Sequence, residues 1–352
     1  MKRGIKYVGI DAHSASCVFC AISQTGKVVL RQVVATEIEA IRRVMFGLGP
    51  NCKVVFEEGE MSAWLYEVMR GLTKDVTVYN PRKGRKGSKA QKTDKRDAEQ
   101  LARWMAQGQL STPVYKEAHG TARLSHLVRA YNTVVADRTR AKNRLKSLLR
   151  SQAIKATGST VYGVARRERQ LTELERAGAR ERAELLMAEI DALTSLATRA
   201  QRAMVAELRR HPAARYLLTI PGFGPVRTAQ VIAAIRTPWR FRRNRMLWTY
   251  GGLAVVTHSS GETVFQDGVP HRRLRATHTR GLNVNYNRTV KQAFKGAALH
   301  ASRHELAPIY QALCGRGLAP ELARVTIARK IATLTLTLWK KGEVFDVTKL
   351  IK

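Results

Sequence analysis

The sequence predicts an α/β unit at the N-terminus followed by a mostly helical chain, and three observations carry that expectation. Short β-rich runs at residues 5–10, 17–23 and 28–35 give way to alternating helical and extended runs up to residue 80. Apolar residues then recur at three- and four-residue spacing over about 119–155 and 165–210, which is the period of long amphipathic helices. Finally, the charge is uneven: residues 1–79 carry 10 basic and 8 acidic side chains, whereas 216–352 carry 22 and 6.

Taken in order, IKYVGI, CVFCAIS and VVLRQVVA are separated by the polar DAHSAS and the turn-prone TGK, so they read as an antiparallel meander. A helical stretch is expected over 37–48. KVVFE (53–57) reads as a buried strand ending at a carboxylate, SAWLYEVMRGL (62–72) as an amphipathic helix, and VTVYN (76–80) as a strand closed by Pro81. Strands that alternate with helices after a meander make an α/β domain.

Residues 82–96 carry eight basic side chains and almost no apolar ones. They cannot pack, so a loop ordered by nucleic acid is expected, with Arg82, Lys83, Arg85 and Lys86 as its first phosphate contacts. A helix is predicted to leave this loop at DKRDAEQLARWMAQ.

The two long helical runs predict a coiled-coil arm, broken by KATGSTVYG (155–163) and ended by His211-Pro212. The expected domains are therefore 1–155, a helical arm over 156–212, and a mostly helical domain over 213–352.

The 352-residue chain has 62 Lys and Arg against 27 Asp and Glu, a net charge of +35. A surplus of that size points to a polyanion whose counterions are released on binding, and nucleic acid is the leading partner. No apolar run approaches the roughly 18–20 residues of a bilayer span, so a membrane protein is excluded and a cytoplasmic location is expected. Cys17 and Cys20 form a C-x-x-C, but three residues apart on a strand they point to opposite faces, and no second pair stands at ligand spacing. Reduced core thiols are the ordinary reading.

Four acids suggest chemistry: Asp11 at the end of the first strand, Glu57 at the end of a later one, and Asp94 and Asp97 three apart on one helical face. Carboxylates beside a basic surface repel phosphates unless a cation intervenes, and hard oxygen ligands suit Mg²⁺ or Mn²⁺ in a two-metal phosphoryl-transfer site. Read singly, each acid is a helix N-terminal charge or a polar strand end. Glu58 and Glu60 compete with Glu57; strand alternation lets only one of Glu57 and Glu58 look into the site.

LLTIPGFGPVRTAQVIAAI (217–235) matches a helix-hairpin-helix, in which Gly222 and Gly224 would let backbone N–H groups reach phosphates, with Arg227 beside them. An ordinary tight turn would use the same residues. Further on, His258, Ser259, Ser260 and Gly261 form a polar turn followed by Arg272, Arg273, Arg275 and Arg280. A serine attacking a phosphodiester needs a base or metal and cations to hold the phosphate, although Ser-Ser-Gly alone is usually just a turn.

The strings YVGIDAH (7–13), VVFEEG (54–59), KTDKRDAEQLA (92–102), IPGFG (220–224), YGGLA (250–254), SSG (259–261), TRGLN (279–283), and ARKIA with LWKKG (328–342) occur in order over nearly the whole chain. Together they resemble the DEDD transposases of the insertion-sequence-110 type, including Piv-like DNA invertases. The resemblance implies a RuvC-like N-terminal domain of RNase H fold, with Asp11, Glu57, Asp94 and Asp97 as metal ligands. It implies a coiled coil, and a C-terminal transposase domain whose nucleophile is Ser260, with Ser259 as the alternative because Glu262-Thr263 replaces the usual Gly-Lys. It further implies a phosphoserine link to DNA, a bridge RNA that pairs with target and donor DNA, a composite site shared between subunits, and a homo-oligomer in which dimers assemble to a tetramer. Two other readings use the same residues: a metal-only nuclease of the Holliday-junction-resolvase type, and a nucleic-acid binder with no catalysis.

Overall fold

The computed structural model describes residues 4–80, 94–110, 113–114, 120–158, 160–174, 178–258, 261–267, 269–274 and 278–347. The chain divides into two units, Met1–Gly120 and Thr121–Lys352.

The first unit is built on a six-stranded sheet of order β3-β2-β1-β4-β5-β6. Strands β1 (Lys6–Ala12), β2 (Ser16–Ser23) and β3 (Val28–Ala35) form the expected antiparallel meander. After α1 (Ile38–Leu48), β4 (Cys52–Glu57) pairs parallel to β1; after α2 (Ser62–Arg70), β5 (Asp75–Tyr79) pairs parallel to β4. β6 (Pro113–Val114) closes the sheet antiparallel to β5. Two residues led by a proline carry no periodicity, which is why the sequence does not announce this strand.

Both faces of the sheet are covered, so its central strands are apolar without alternation. On one face Val8, Ile10, Phe19, Val54 and Phe56 pack with Ile41, Val44 and Met45 of α1 and Leu65 and Met69 of α2. On the other lies α3 (Asp94–Ala106): Ala98 and Ala102 pack with Val18, Cys20 and Ile22, and Leu101 with Val55 and Tyr79. Cys17 and Cys20 fall in opposite layers, as strand alternation requires.

The second unit is mostly helical. Its long helices α4 (Ala122–Ser151) and α6 (Ala179–Leu208) pack against each other through Ala141, Leu145, Leu148 and Leu149 facing Ala183, Leu186, Met187 and Ile190. The second predicted helix, 165–210, is two helices. α5 (Val164–Thr172) precedes α6, and Gly178 caps α6 in the left-handed region at φ 80°. Arg167 of α5 holds Asp191 of α6 through two hydrogen bonds of 2.5 Å.

The units divide at 120, not at the expected 155, and no break in packing falls at 212. Leu124 and Val128 of α4 and Met204 and Leu208 of α6 belong to one core with α7 (Ala213–Leu217), α8 (Pro225–Ile235), α10 (Arg288–Ala301) and α12 (Pro320–Lys341). His211-Pro212 ends a helix, but apolar side chains pack across it. α9 (Asn244–Tyr250) and α11 (Ala307–Gly315) complete the helices of this unit that matter below. Between α9 and α10 stand two ribbons: β7 (Val255–His258) with β10 (His278–Leu282), and β8 (Gly261–Gln266) with β9 (Val269–Leu274). Among the described residues, no helix is long and apolar enough to cross a membrane.

Candidate active site

The geometry begins with a register. β1 and β4 run parallel with Val8 opposite Val54 and Ile10 opposite Phe56, so Asp11 and Glu57 follow the last paired rung side by side. Residues at one level of a parallel pair point to the same side. Ile10 and Phe56 enter the α1–α2 layer, so Asp11 and Glu57 point to the α3 side, as Val55 does. Both are half-buried, while Glu58 and Glu60 lie beyond the strand and are exposed.

Helix α3 reaches this pair because β1 has a glycine where the two meet. A Cβ on Gly9 would stand 1.9 Å from the Ala98 carbonyl oxygen and 2.8 Å from the Ala102 amide nitrogen. Any side chain there would lift the helix off the sheet. The direction of α3 follows from its ion pairs. Glu99 accepts from Arg31 of β3, which pairs with Cys20 and through it with Gly9, whereas Arg103 approaches Gly26 in the β2–β3 turn. That turn lies at the end where β1 begins. α3 therefore runs opposite to β1, and its first turn, with Asp97, lies toward the end where Asp11 stands. Asp94 is the first residue of α3; its side chain lies outside the described residues.

One further acid of α3 braces the fold. Glu99 is held below the usual carboxylate range, chiefly by the Arg31 hydrogen bond and then by Arg103, whose Nε and Nη2 donate to it at 2.9 and 2.7 Å. Its negative charge is spent on fixing α3 to β3. His13 is the residue that sequence reasoning passed over: its Nε2 stands 3.4 Å from Asp11 Oδ2. The signal was present as D-A-H at a strand end, where a tight β1–β2 turn, closed by the His13 amide on Ser16 O at 2.8 Å, brings the ring back over the acid. Cys17 beside this turn is pushed above the usual thiol range by burial, with the Asp11 charge adding to the effect.

Two family models match the chain: one for DEDD transposases of IS110 type, described as "Transposase", over residues 8–153, and the "Transposase IS116/IS110/IS902 family" over 214–312. The chain belongs to the IS110-type DEDD transposases. No curated relative matches it. The first match spans the sheet, α3 and all of α4; the second spans α7 through most of α11. This transposase is therefore an enzyme that acts on DNA, and its mixed sheet unit agrees with the DEDD, RuvC-like domain that the resemblance implies.

Most of the remaining candidates of the transposase belong to the second unit. Ser259 and Ser260 lie outside the described residues, between the end of β7 at His258 and the start of β8 at Gly261. The backbone places Arg272 and Arg273 on β9, paired with Thr263 and Glu262, and Arg280 on β10, whose His278 and Thr279 pair with His258 and Thr257. Arg275, Arg82, Lys83, Arg85 and Lys86 lie outside the described residues.

Around PGFGP, the first helix is the five-residue α7 and the second is α8, with Gly224 extended at its N-cap and Pro225 at its first position. Gly222, at φ 76°, is pressed onto α10: an added Cβ would meet Ala297 O at 2.4 Å. Arg227 Nη1 donates to Gly222 O at 2.8 Å. Open space remains at Gly224.

Proposed function

We propose that the transposase cleaves and rejoins DNA through a divalent cation held by Asp11, Glu57, Asp94 and Asp97 and through a serine nucleophile, Ser260, with Ser259 as its alternative. The observation that carries the metal reading is the pairing of Asp11 with Glu57 on the side to which α3 brings Asp97. Among the described residues, no three His, Cys, Asp or Glu side chains gather closely enough to hold an ion, and the Asp94 side chain lies outside them. Hard oxygen donors at strand ends suit Mg²⁺ or Mn²⁺, which would neutralise phosphate charge and polarise the P–O bond. His13 orients the Asp11 carboxylate.

In the proposed step the Ser260 Oγ–P bond forms as the P–O bond to the departing strand breaks, and the hydroxyl proton passes to the leaving sugar oxygen. The result is a phosphoserine link and a free hydroxyl, which reverse on rejoining. Arg272, Arg273, Arg275 and Arg280 balance the phosphate charge; Arg82, Lys83, Arg85 and Lys86 hold the backbone farther out. At the PGFGP turn, phosphate is met by the backbone at Gly224 in a helix-hairpin-helix contact, while Gly222 and Arg227 shape the turn.

The family further supports guidance by a bridge RNA that pairs with target and donor DNA. It also supports a coiled-coil arm from α4 and α6, and dimers that assemble to a tetramer with serine and metal site contributed by different subunits. The test is to trap a covalent protein–DNA adduct with Mg²⁺ present. Ser260→Ala is expected to abolish the adduct, and Asp11→Asn to abolish cleavage while DNA binding persists. Free 5′-phosphate ends with no adduct from the unmodified protein would overturn the serine step, and an undiminished adduct from Ser260→Ala would move it to another residue.

A further inference from the structure

Between Glu207 and Glu262 the chain contains nine arginines, no lysine and no acid. Five of the nine fall in RTPWRFRRNRM (236–246), the link from α8 to α9. At the middle of that link Trp239 is 70% exposed. An indole left in water is a large apolar surface with no local reason to be there.

Its exposure is built in. Pro238 and Phe241 are buried on either side of it, and the Phe241 ring lies 5.5 Å from Tyr250. Arg240 is pinned inward: its guanidinium lies 4.5 Å from the Tyr250 ring centroid, and Nη1 donates to Ala234 O at 3.2 Å. Both neighbours in the 3₁₀ turn Pro238–Arg240 are thus fixed to the unit, which leaves Trp239 facing outward on a rigid base. Lys340 of α12 donates to Phe241 O at 2.7 Å, which sets its ammonium 5.5 Å from the Trp239 ring centroid. Arg242, Arg243 and Arg245 are exposed beside it.

A rigid outward indole flanked by guanidinium groups fits one ligand chemistry. The ring offers a stacking face to a planar base, and arginine forks take phosphate oxygens. In a duplex the bases are already stacked on one another, so the ring selects an unpaired nucleotide. We propose that Trp239 is a stacking platform for an unpaired base of a single-stranded nucleic acid, with Lys340, Arg242, Arg243 and Arg245 holding the flanking phosphates. The site needs neither the metal nor Ser260 and stands apart from the cleavage reading.

The experiment measures the affinity of the full-length protein for oligo(dT), oligo(U) and a blunt DNA duplex across a salt series. Trp239→Ala is expected to weaken single-strand binding by about 5- to 100-fold, to leave duplex binding unchanged, and to leave the salt slope intact. Trp239→Phe, which keeps an aromatic face, is expected to restore most of the affinity. Replacing Arg242, Arg243 and Arg245 by Gln is expected to flatten the slope of log K against log salt by about 2. Loss on oligo(dT) alone or on oligo(U) alone identifies a DNA or an RNA strand, and loss on both identifies any unpaired base. Unchanged single-strand affinity, an equal loss on the duplex, or an equal loss with Trp239→Phe would overturn the platform. So would a self-association that Trp239→Ala abolishes with nucleotide affinity intact. Cleavage assays on Asp11→Asn and Ser260→Ala do not enter this readout, so the two readings fail separately.

Discussion

The sheet unit and the helical unit each depend on a glycine pressed against a helix backbone, and they use it for opposite charges. In the sheet unit Gly9 lets α3 lie directly on β1, which carries the first turn of α3 to half-buried carboxylates at the strand ends. In the helical unit Gly222 lets the PGFGP turn lie on α10 at Ala297, and the link that follows α8 carries five arginines and no acid. Carboxylates that must share a cation need a scaffold accurate to a fraction of an ångström, because like charges repel and each ligand must converge. Cations that hold a phosphate backbone need only be exposed and unneutralised. Residues 1–79, which hold Asp11 and Glu57, carry 10 basic and 8 acidic side chains, whereas 216–352 carry 22 and 6.

The largest test of this contrast removes a core side chain from the helical unit. Phe294, fully buried in α10 beside Phe223, is expected to cost about 3–5 kcal/mol on replacement by alanine, read by urea unfolding. A loss below about 1 kcal/mol would show that α10 is not the seat of the turn. Gly9→Ala comes next: an added methyl 1.9 Å from a carbonyl oxygen is expected to cost about 3 kcal/mol and to suppress cleavage, with single-strand binding at Trp239 retained. If cleavage survives, α3 does not need to touch β1 for the acids to work.

A smaller effect separates Glu99 from the site acids. Its folded pKa is depressed by Arg31 and Arg103, so its contribution is full above the ordinary value of 4.5 and is lost as pH falls through the lower folded value. Glu99→Gln is expected to cost about 1 kcal/mol at neutral pH, to narrow the acid limb of the stability profile, and to leave cleavage measurable. His13→Ala is expected to retain the fold while lowering cleavage by about 10- to 100-fold, the loss typical when a ligand's orienting partner is removed. Least of all, Asp191→Asn removes an exposed carboxylate from its pair with the mostly covered Arg167 and is expected to change stability by no more than about 1 kcal/mol, lost likewise only at acid pH.

Much of this site is legible in one dimension. Strand patterns end at a carboxylate in β1 and at another in β4, helical spacing predicts Asp94 and Asp97 on one helical face, and the charge count separates a nearly balanced stretch up to residue 79 from a basic remainder. These follow from local chemistry, since periods of two and 3.6 residues express only each segment's own geometry. Tertiary structure alone decides what lies beside what. The parallel register that sets Asp11 next to Glu57 joins strands some forty residues apart, and it depends on which faces α1, α2 and α3 cover. The same holds for β6, too short to carry a pattern, and for the ribbons after α9, whose partners are distant in the chain. It holds for His13, folded back by its turn, and for Gly222, whose left-handed turn serves packing on α10. Trp239 is the clearest case: its neighbours' burial decides its exposure, and burial is a property of the assembled core that no single segment encodes.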